Sequence, residues 1–202
     1  MADFKISLAK TLTAEGGYFW NKTTGEIVNR GVTAQSLIDF NLLPPDLASM
    51  PAAYAAYLAN KSPATESAVQ PLATFIENYS SSDTTLFYMR HYWIPMHGDS
   101  ILAQPIADKL FDVEVNQGGV AIPEMQNAIN DLQMGGQAVQ VDGVMGPKTL
   151  GAINSLPVSK LLPSFQARVE SRYRKIAANN PALAGDLGAK DPPSGWLGRL
   201  YS

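Results

Sequence analysis

Apolar residues recur along this chain mostly at three- and four-residue spacing, the period of a helix with one buried face. Phe4, Leu8 and Leu12 form the first such run, and Gly16-Gly17 ends it. From Tyr18 to Thr33 the helical period disappears. Aromatic and β-branched residues mix there with turn formers, which predicts a short β-hairpin or an irregular loop. Thr33 predicts the cap of a helix carrying Leu37, Ile38 and Phe40, stopped by Pro44-Pro45. Residues 51–60 read as a short helix with proline at its first position, and Ser62-Pro63 opens a longer one toward Tyr79, with a kink or interruption expected at Pro71. Ser80-Ser81-Ser82-Asp83 offers a cap for a helix from Leu86 to Trp93.

The second half continues the pattern. Ile106, Leu110 and Val113 mark a helix closed by Gly118-Gly119, and Pro123 starts another through Met125, Ile129 and Leu132. Gly135-Gly136 and Asp142-Gly143 bracket a short extended piece, Ala138 to Val141. Gly146-Pro147 begins a helix bearing Leu150 and Ile153, and Phe165, Val169 and Ile176 line a long last one. The tail from Pro181 is rich in proline and glycine, yet Trp196, Leu197 and Leu200 are expected to pack back onto the body. The whole reads as mainly α. Pro95, Gly98 and Pro105 form a seam too short for a flexible linker, so two halves, 1–97 and 98–202, are expected to pack closely.

Composition narrows the function classes. With 202 residues, 46% apolar and 16% charged, the chain is globular, enough for one generous domain or two small ones. A net charge of −3 argues against nucleic acid, and the cluster Arg168, Arg172, Arg174 and Lys175 reads as a solvated helix face. The absence of cysteine excludes disulfides and thiolate metal sites. His91 is expected beside Trp93, with Tyr92-Trp93 in the core, and His97 exposed in a turn; two histidines make no metal site. Asp142-Gly143 is a turn signal without the alternating oxygen ligands of a calcium loop, so neither metal nor cofactor is expected. No stretch approaches the ~18 apolar residues of a membrane span.

The chemistry concentrates at Glu15. It stands where a helix ends, before two glycines and then Tyr18, Phe19 and Trp20. The negative end of a helix dipole and burial beside aromatic rings both disfavour an ionised carboxylate, as a general acid at neutral pH requires. Gly16 and Gly17 let a bulky substrate approach the backbone, and the aromatics offer stacking faces for sugars. A solvent-facing glutamate beside core aromatics is the alternative.

Thr13-Ala14-Glu15-Gly16-Gly17-Tyr18 is similar to the signature of glycoside hydrolase family 108, the "EGGY" N-acetylmuramidases. Five further segments resemble that family in the same order: Asn29-Arg30-Gly31-Val32-Thr33, Arg90-His91-Tyr92-Trp93, the stretch from Leu110 to Gly118, Val141 through Leu150, and the terminal Gly195-Trp196-Leu197-Gly198-Arg199. The last two segments look like the predicted peptidoglycan-binding region that accompanies the family. The resemblance implies a lysozyme-like fold with a hairpin or loop lining the cleft. It also implies cleavage of the β-1,4 bond between N-acetylmuramic acid and N-acetylglucosamine, with Glu15 as the acid.

One departure from the family pattern matters. An aspartate usually follows in the first loop, whereas this chain has Lys22-Thr23-Thr24-Gly25-Glu26-Ile27-Val28, with Val28 where a threonine would stand. Glu26 is the only carboxylate there. It either activates water from a shifted position or is a solvated loop residue. Hydrolysis generally uses carboxyls about 5–5.5 Å apart for retention and about 6.5–9.5 Å for inversion. Thr23 and Thr24 alternatively hold the water. Tyr18, Thr24 and Asn116 are the substrate-binding candidates, while Asp112, one helical turn before Asn116, reads as structural. Three outcomes stay open: hydrolysis, lytic transglycosylation of the same bond, or wall binding with catalysis impaired. No signal peptide is visible, so synthesis in the cytoplasm and action in the periplasm or wall imply a holin, type VI secretion or another specialised route. A bacteriolytic effector with a cognate immunity protein fits that expectation.

Overall fold

The computed structural model describes residues 1–132, 138–189 and 194–202 and is 68% helical, with a three-stranded antiparallel sheet. The backbone forms two compact units, one continuous from Leu12 to Tyr88, the other made of Met1–Thr11 and Met89–Ser202. This division differs from the expected halves at 1–97 and 98–202. The reason is that the start of the chain is tied to residues beyond 89. Ala2 N–H donates to the Ile101 carbonyl at 2.8 Å. The Phe4 ring packs on Trp93 and Phe111 with centroids 5.5 and 5.9 Å away. Asp108, only 8% exposed, accepts from Ser7 Oγ and Gln104 Nε2 at 2.6 Å each and pairs with Lys10 at 2.5 Å.

In the 12–88 unit, helix α1 (Phe4–Ala14) delivers the chain into strands β1 (Phe19–Trp20), β2 (Ile27–Asn29) and β3 (Val32–Thr33), paired in that order. Phe19 faces Val28, Trp20 faces Ile27, and Asn29 faces Val32. Thr33 caps α2 (Ala34–Asp39) through a reciprocal pair with Ser36, and Ser62 caps α4 (Pro63–Glu77) the same way with Thr65. Between them lies α3 (Met50–Ala59); α5 (Ser81–Tyr88) completes the unit. Ile27, Val32, Leu37, Tyr57, Val69, Leu72 and Ile76 are fully buried, so the inward edge of the sheet and one face of α4 share a core. The last carbonyls of α4 lack helical donors. Buried Asn29 supplies one, its Nδ2 donating to Ile76 and Glu77 carbonyls at 2.9 and 3.1 Å. Helix α4 continues through Pro71 without the expected interruption. The lost N–H faces the exposed side, where solvent can satisfy the freed Ser67 carbonyl.

In the other unit a π-helical turn, Met89–Trp93, follows α5 and inserts Trp93, 1% exposed, whose Nε1 donates to Asp99 at 2.8 Å. Helices α6 (Gln104–Gln117), α7 (Ala121–Leu132), α8 (Pro147–Ser155) and α9 (Val158–Asn179) follow. The terminal α10 (Gly195–Tyr201) packs back as expected. Leu197 and Leu200 are buried, and Trp196 meets the Tyr173 ring at 5.3 Å. Lys109 Nζ donates to the Arg199 carbonyl at 2.8 Å, and Arg199 pairs with Asp112 at 2.9 Å. The Ala138–Val141 piece forms no strand; Asn130 instead bonds both backbone groups of Val139 at 2.9 Å. Gly135-Gly136 lies outside the described residues.

Glu114 on α6 has one carboxyl oxygen shut from water without a hydrogen-bond partner among the described residues. Burial pushes its carboxyl above the usual range, the Ala121 N–H opposing only in part. A raised folded pKa means that the native state holds the proton more tightly than the unfolded chain. Stability therefore falls as pH rises from the unfolded value, about 4.3, through the raised one. Glu114→Gln is expected to melt above the parent at pH 7–8, with the difference closing toward pH 4. A pH-independent difference in thermal unfolding would contradict this.

Candidate active site

Glu15 follows directly on α1, its N–H still bonded to the Leu12 carbonyl at 3.2 Å, and its side chain is half-buried. The carboxyl lies against the turn joining β2 to β3. Asn29 and Val32 pair across two loop residues, Arg30 at φ 50° and Gly31 at φ 76°, both left-handed, as a primed two-residue hairpin turn requires. A Cβ on Gly31 would fall 2.9 Å from Glu15 Oε2 and 2.2 Å from the Tyr88 hydroxyl oxygen. Only glycine lets turn, carboxyl and phenol meet at this point. Tyr88 is buried and donates to the Arg30 carbonyl at 3.0 Å, while Arg30 Nη1 donates to the Tyr79 carbonyl at 3.1 Å. The turn that abuts Glu15 is thus anchored from both sides. Tyr88 carried no sequence signal for this place, being an aromatic at helical spacing like many core residues; Gly31 was legible only as part of a family element.

At the other end of β2 the loop from β1 closes on Asn21. Its side-chain oxygen accepts the N–H groups of Thr23 and Thr24 at 3.0 and 3.1 Å, and the Gly25 N–H returns to its carbonyl at 2.7 Å. Thr24 is exposed, its hydroxyl accepting from the Glu26 N–H at 3.3 Å. Glu26 is exposed immediately before β2. Strand alternation places it with Val28, opposite the buried Ile27 and Asn29. Glu15 and Glu26 therefore stand near opposite ends of one three-residue strand.

The aromatics divide in role. Trp20 is committed to the unit: its Nε1 donates to Tyr57 at 3.1 Å, and the Lys22 ammonium sits 2.9 Å above its ring while pairing with Glu66 at 2.7 Å. Phe19 is 57% exposed and offers an open face. Tyr18 is half-buried; burial first, and the Glu77 charge second, push its phenol above the ordinary range.

Asn116 belongs to the other unit, where its Nδ2 donates to Tyr173 at 3.0 Å. Asp112 binds Arg199, the structural part expected of it. The Asp142-Gly143 turn is held by buried Gln126, which accepts both backbone N–H groups at 3.1 and 3.0 Å and donates to Asp142 Oδ1 at 2.8 Å. Among the described residues no group of three or more His, Asp or Glu side chains is placed to hold a metal, and no helix is long and apolar enough to cross a membrane.

A half-buried carboxyl at the end of the first helix, set against a small antiparallel sheet in a mainly α body, defines a lysozyme-like glycoside hydrolase. Residues 8–118, more than half of the chain, match the model of Glycosyl hydrolase 108, and the chain belongs to that family. The solved structure of Brucella abortus SagA is similar over 85% of this chain and 79% of that one, with a TM-score of 0.56 at 18% identity; this shows a shared fold. Comparison with curated proteins gives no match. Family membership makes the protein a peptidoglycan hydrolase of the muramidase type.

The contact at Gly31 is testable. Gly31→Ala adds a methyl group to a left-handed residue facing two oxygens, and is expected to cost about 1–3 kcal/mol of stability and most of the wall-degrading activity. Adding Tyr88→Phe removes the nearer clash and should restore part of the melting temperature. Activity and stability of the single variant equal to the parent's would show that the turn does not bear on Glu15.

Proposed function

We propose that Glu15 is the general acid that protonates the glycosidic oxygen of the β-1,4 bond between N-acetylmuramic acid and N-acetylglucosamine. The observation that carries this reading is the packing of its carboxyl against the Gly31 turn, which fixes the acid on a rigid helix end in a chain of this family. An oxocarbenium-like state develops as the bond breaks, and a nucleophile must capture it at the anomeric carbon: water in hydrolysis, the sugar's own 6-hydroxyl in transglycosylation.

Glu26 is the candidate base. Three strand residues at ~3.3 Å each put about 10 Å between the ends of β2. That length suits a water held between two carboxyls, as in inversion, better than the about 5–5.5 Å of a direct carboxylate nucleophile. Tyr18 and Thr24 would bind sugar hydroxyls from the same unit. The exposure of Glu26 favours a second reading: if Glu26 stays solvated, the muramic acid 6-hydroxyl replaces water, giving lytic transglycosylation. A wall-binding protein without catalysis is the third.

Digestion of purified peptidoglycan with mass spectrometry of the products separates these readings. Reducing-end muropeptides mean hydrolysis, 1,6-anhydro ends mean transglycosylation, and sedimentation with the wall without any release means binding alone. Glu15→Gln should lower the rate by about 100-fold or more at unchanged melting temperature, the range expected for loss of a general acid. Glu26→Gln should lower it by about 10-fold or more only if that residue activates water. Undiminished turnover by a well-folded Glu15→Gln protein would remove Glu15 from the mechanism.

Delivery by a holin, by type VI secretion with an immunity partner, or by another specialised route belongs to the same proposal. A reporter fusion reaching the periplasm of cells that lack any such machinery would count against it.

A further inference from the structure

Four basic residues, Arg168, Arg172, Arg174 and Lys175, cluster on α9 in a chain whose net charge is −3. The structure divides them. Arg168 is held by a bidentate pair with Asp131, and Arg174 pairs with Glu170 at 2.8 Å one turn away. Arg172 and Lys175 have no carboxylate partner among the described residues. Both line a groove of about 610 Å³ between α7 and α9, with Glu124 and Asn127 on one wall, and Ser171, Ile176, Asn179 and Asn180 along the other. The volume is that of a small-ligand site. The guanidinium of Arg172 is half sunk, its Nε–H shut from water without an acceptor among the described residues. That donor is out of reach of a ligand, so an incoming anion would meet the rest of the guanidinium, which lines the groove.

We propose that this α7–α9 groove binds a carboxylate of the peptidoglycan stem peptide, making it a wall-anchoring site separate from the Glu15 chemistry. The proposal rests on the peptidoglycan reading for the identity of the ligand. The charge pattern selects the ligand class. Two free cations flanked by amide side chains suit one carboxylate with peptide groups beside it. With Glu124 set against Arg172 and Lys175 the groove keeps a single excess positive charge, which suits one carboxylate and disfavours a polymer bearing consecutive phosphates. Arg172 supplies two parallel N–H donors for the carboxylate oxygens, Lys175 a point charge, and the amides meet the peptide backbone.

The test uses the full chain carrying Glu15→Gln, so that wall is bound without being consumed, and measures co-sedimentation with insoluble sacculi stripped of teichoic acid. Arg172→Gln with Lys175→Gln is expected to weaken binding about 10-fold or more. Lys175→Glu alone, at an exposed position that leaves folding intact, should weaken it as strongly. Sacculi whose carboxylates have been converted to amides should lose binding to the unaltered groove. Undiminished binding by the folded Lys175→Glu protein, equal binding to amidated sacculi, or binding that disappears on removal of teichoic phosphate would each overturn the proposal. Reducing-end release by the parent chain is scored separately, so a protein that anchors without cleaving would sink the muramidase reading and leave the groove intact.

Discussion

The site depends on a backbone constraint: two consecutive left-handed residues, Arg30 and Gly31, must bring a bare Cα against the carboxyl of Glu15. Everything around the turn serves to hold it there. Asn29 ties the strand before it to the end of α4, Arg30 donates to the Tyr79 carbonyl, and the Tyr88 hydroxyl donates to the Arg30 carbonyl. An arginine at φ 50° is strained on its own, and strain of that kind persists only where the surroundings over-determine it. Three side chains, Asn29, Arg30 and Tyr88, do so here with four hydrogen bonds. The Glu15 carboxyl therefore meets a hairpin turn that is itself anchored by neighbouring side chains.

Much of this was legible in the chain. The helical period located α1, the capping pairs at Thr33 and Ser62 located α2 and α4, and the loss of period after Gly17 located the sheet. Local signals sufficed because caps, prolines and amphipathic faces act within one or two turns. What stayed hidden was long-range. Phe4 and Trp93 lie far apart in sequence, and nothing local says that the first helix turn belongs with residues beyond 89 rather than with its own neighbours. Pro71 failed as a break signal because its missing N–H faces solvent, where the cost of the lost bond is small.

Charge follows the same division. Sequence shows four cations on α9 and reads a solvated face; only the fold shows that two are neutralised by Asp131 and Glu170 while two are not. Asp112 and Asn116 illustrate the converse. Their spacing announces a shared helix face, and the structure gives each a specific partner, Arg199 and Tyr173. Polar residues at regular spacing thus divide into those that spend their hydrogen bonds on the fold and those left over, and the leftover ones are where a ligand is to be sought.

The β1–β2 loop sets the remaining chemical question. Lys22, the loop's cation, is committed twice, to Glu66 and to the Trp20 ring, and so shapes the loop. Asn21 and Thr24 are likewise used in closing the turn. Glu26 is then the loop's remaining ionisable side chain, and strand alternation carries it to the face that Ile27 and Asn29 do not occupy. A general acid alone breaks the glycosidic bond in either reading. What separates a hydrolase from a transglycosylase is whether a second group orders water faster than the substrate's own hydroxyl can close on the cation. In the proposed mechanism Glu15 packs against the hairpin turn while Glu26 is solvent-exposed, so the order of the loop around Glu26 when sugar is bound would decide that competition.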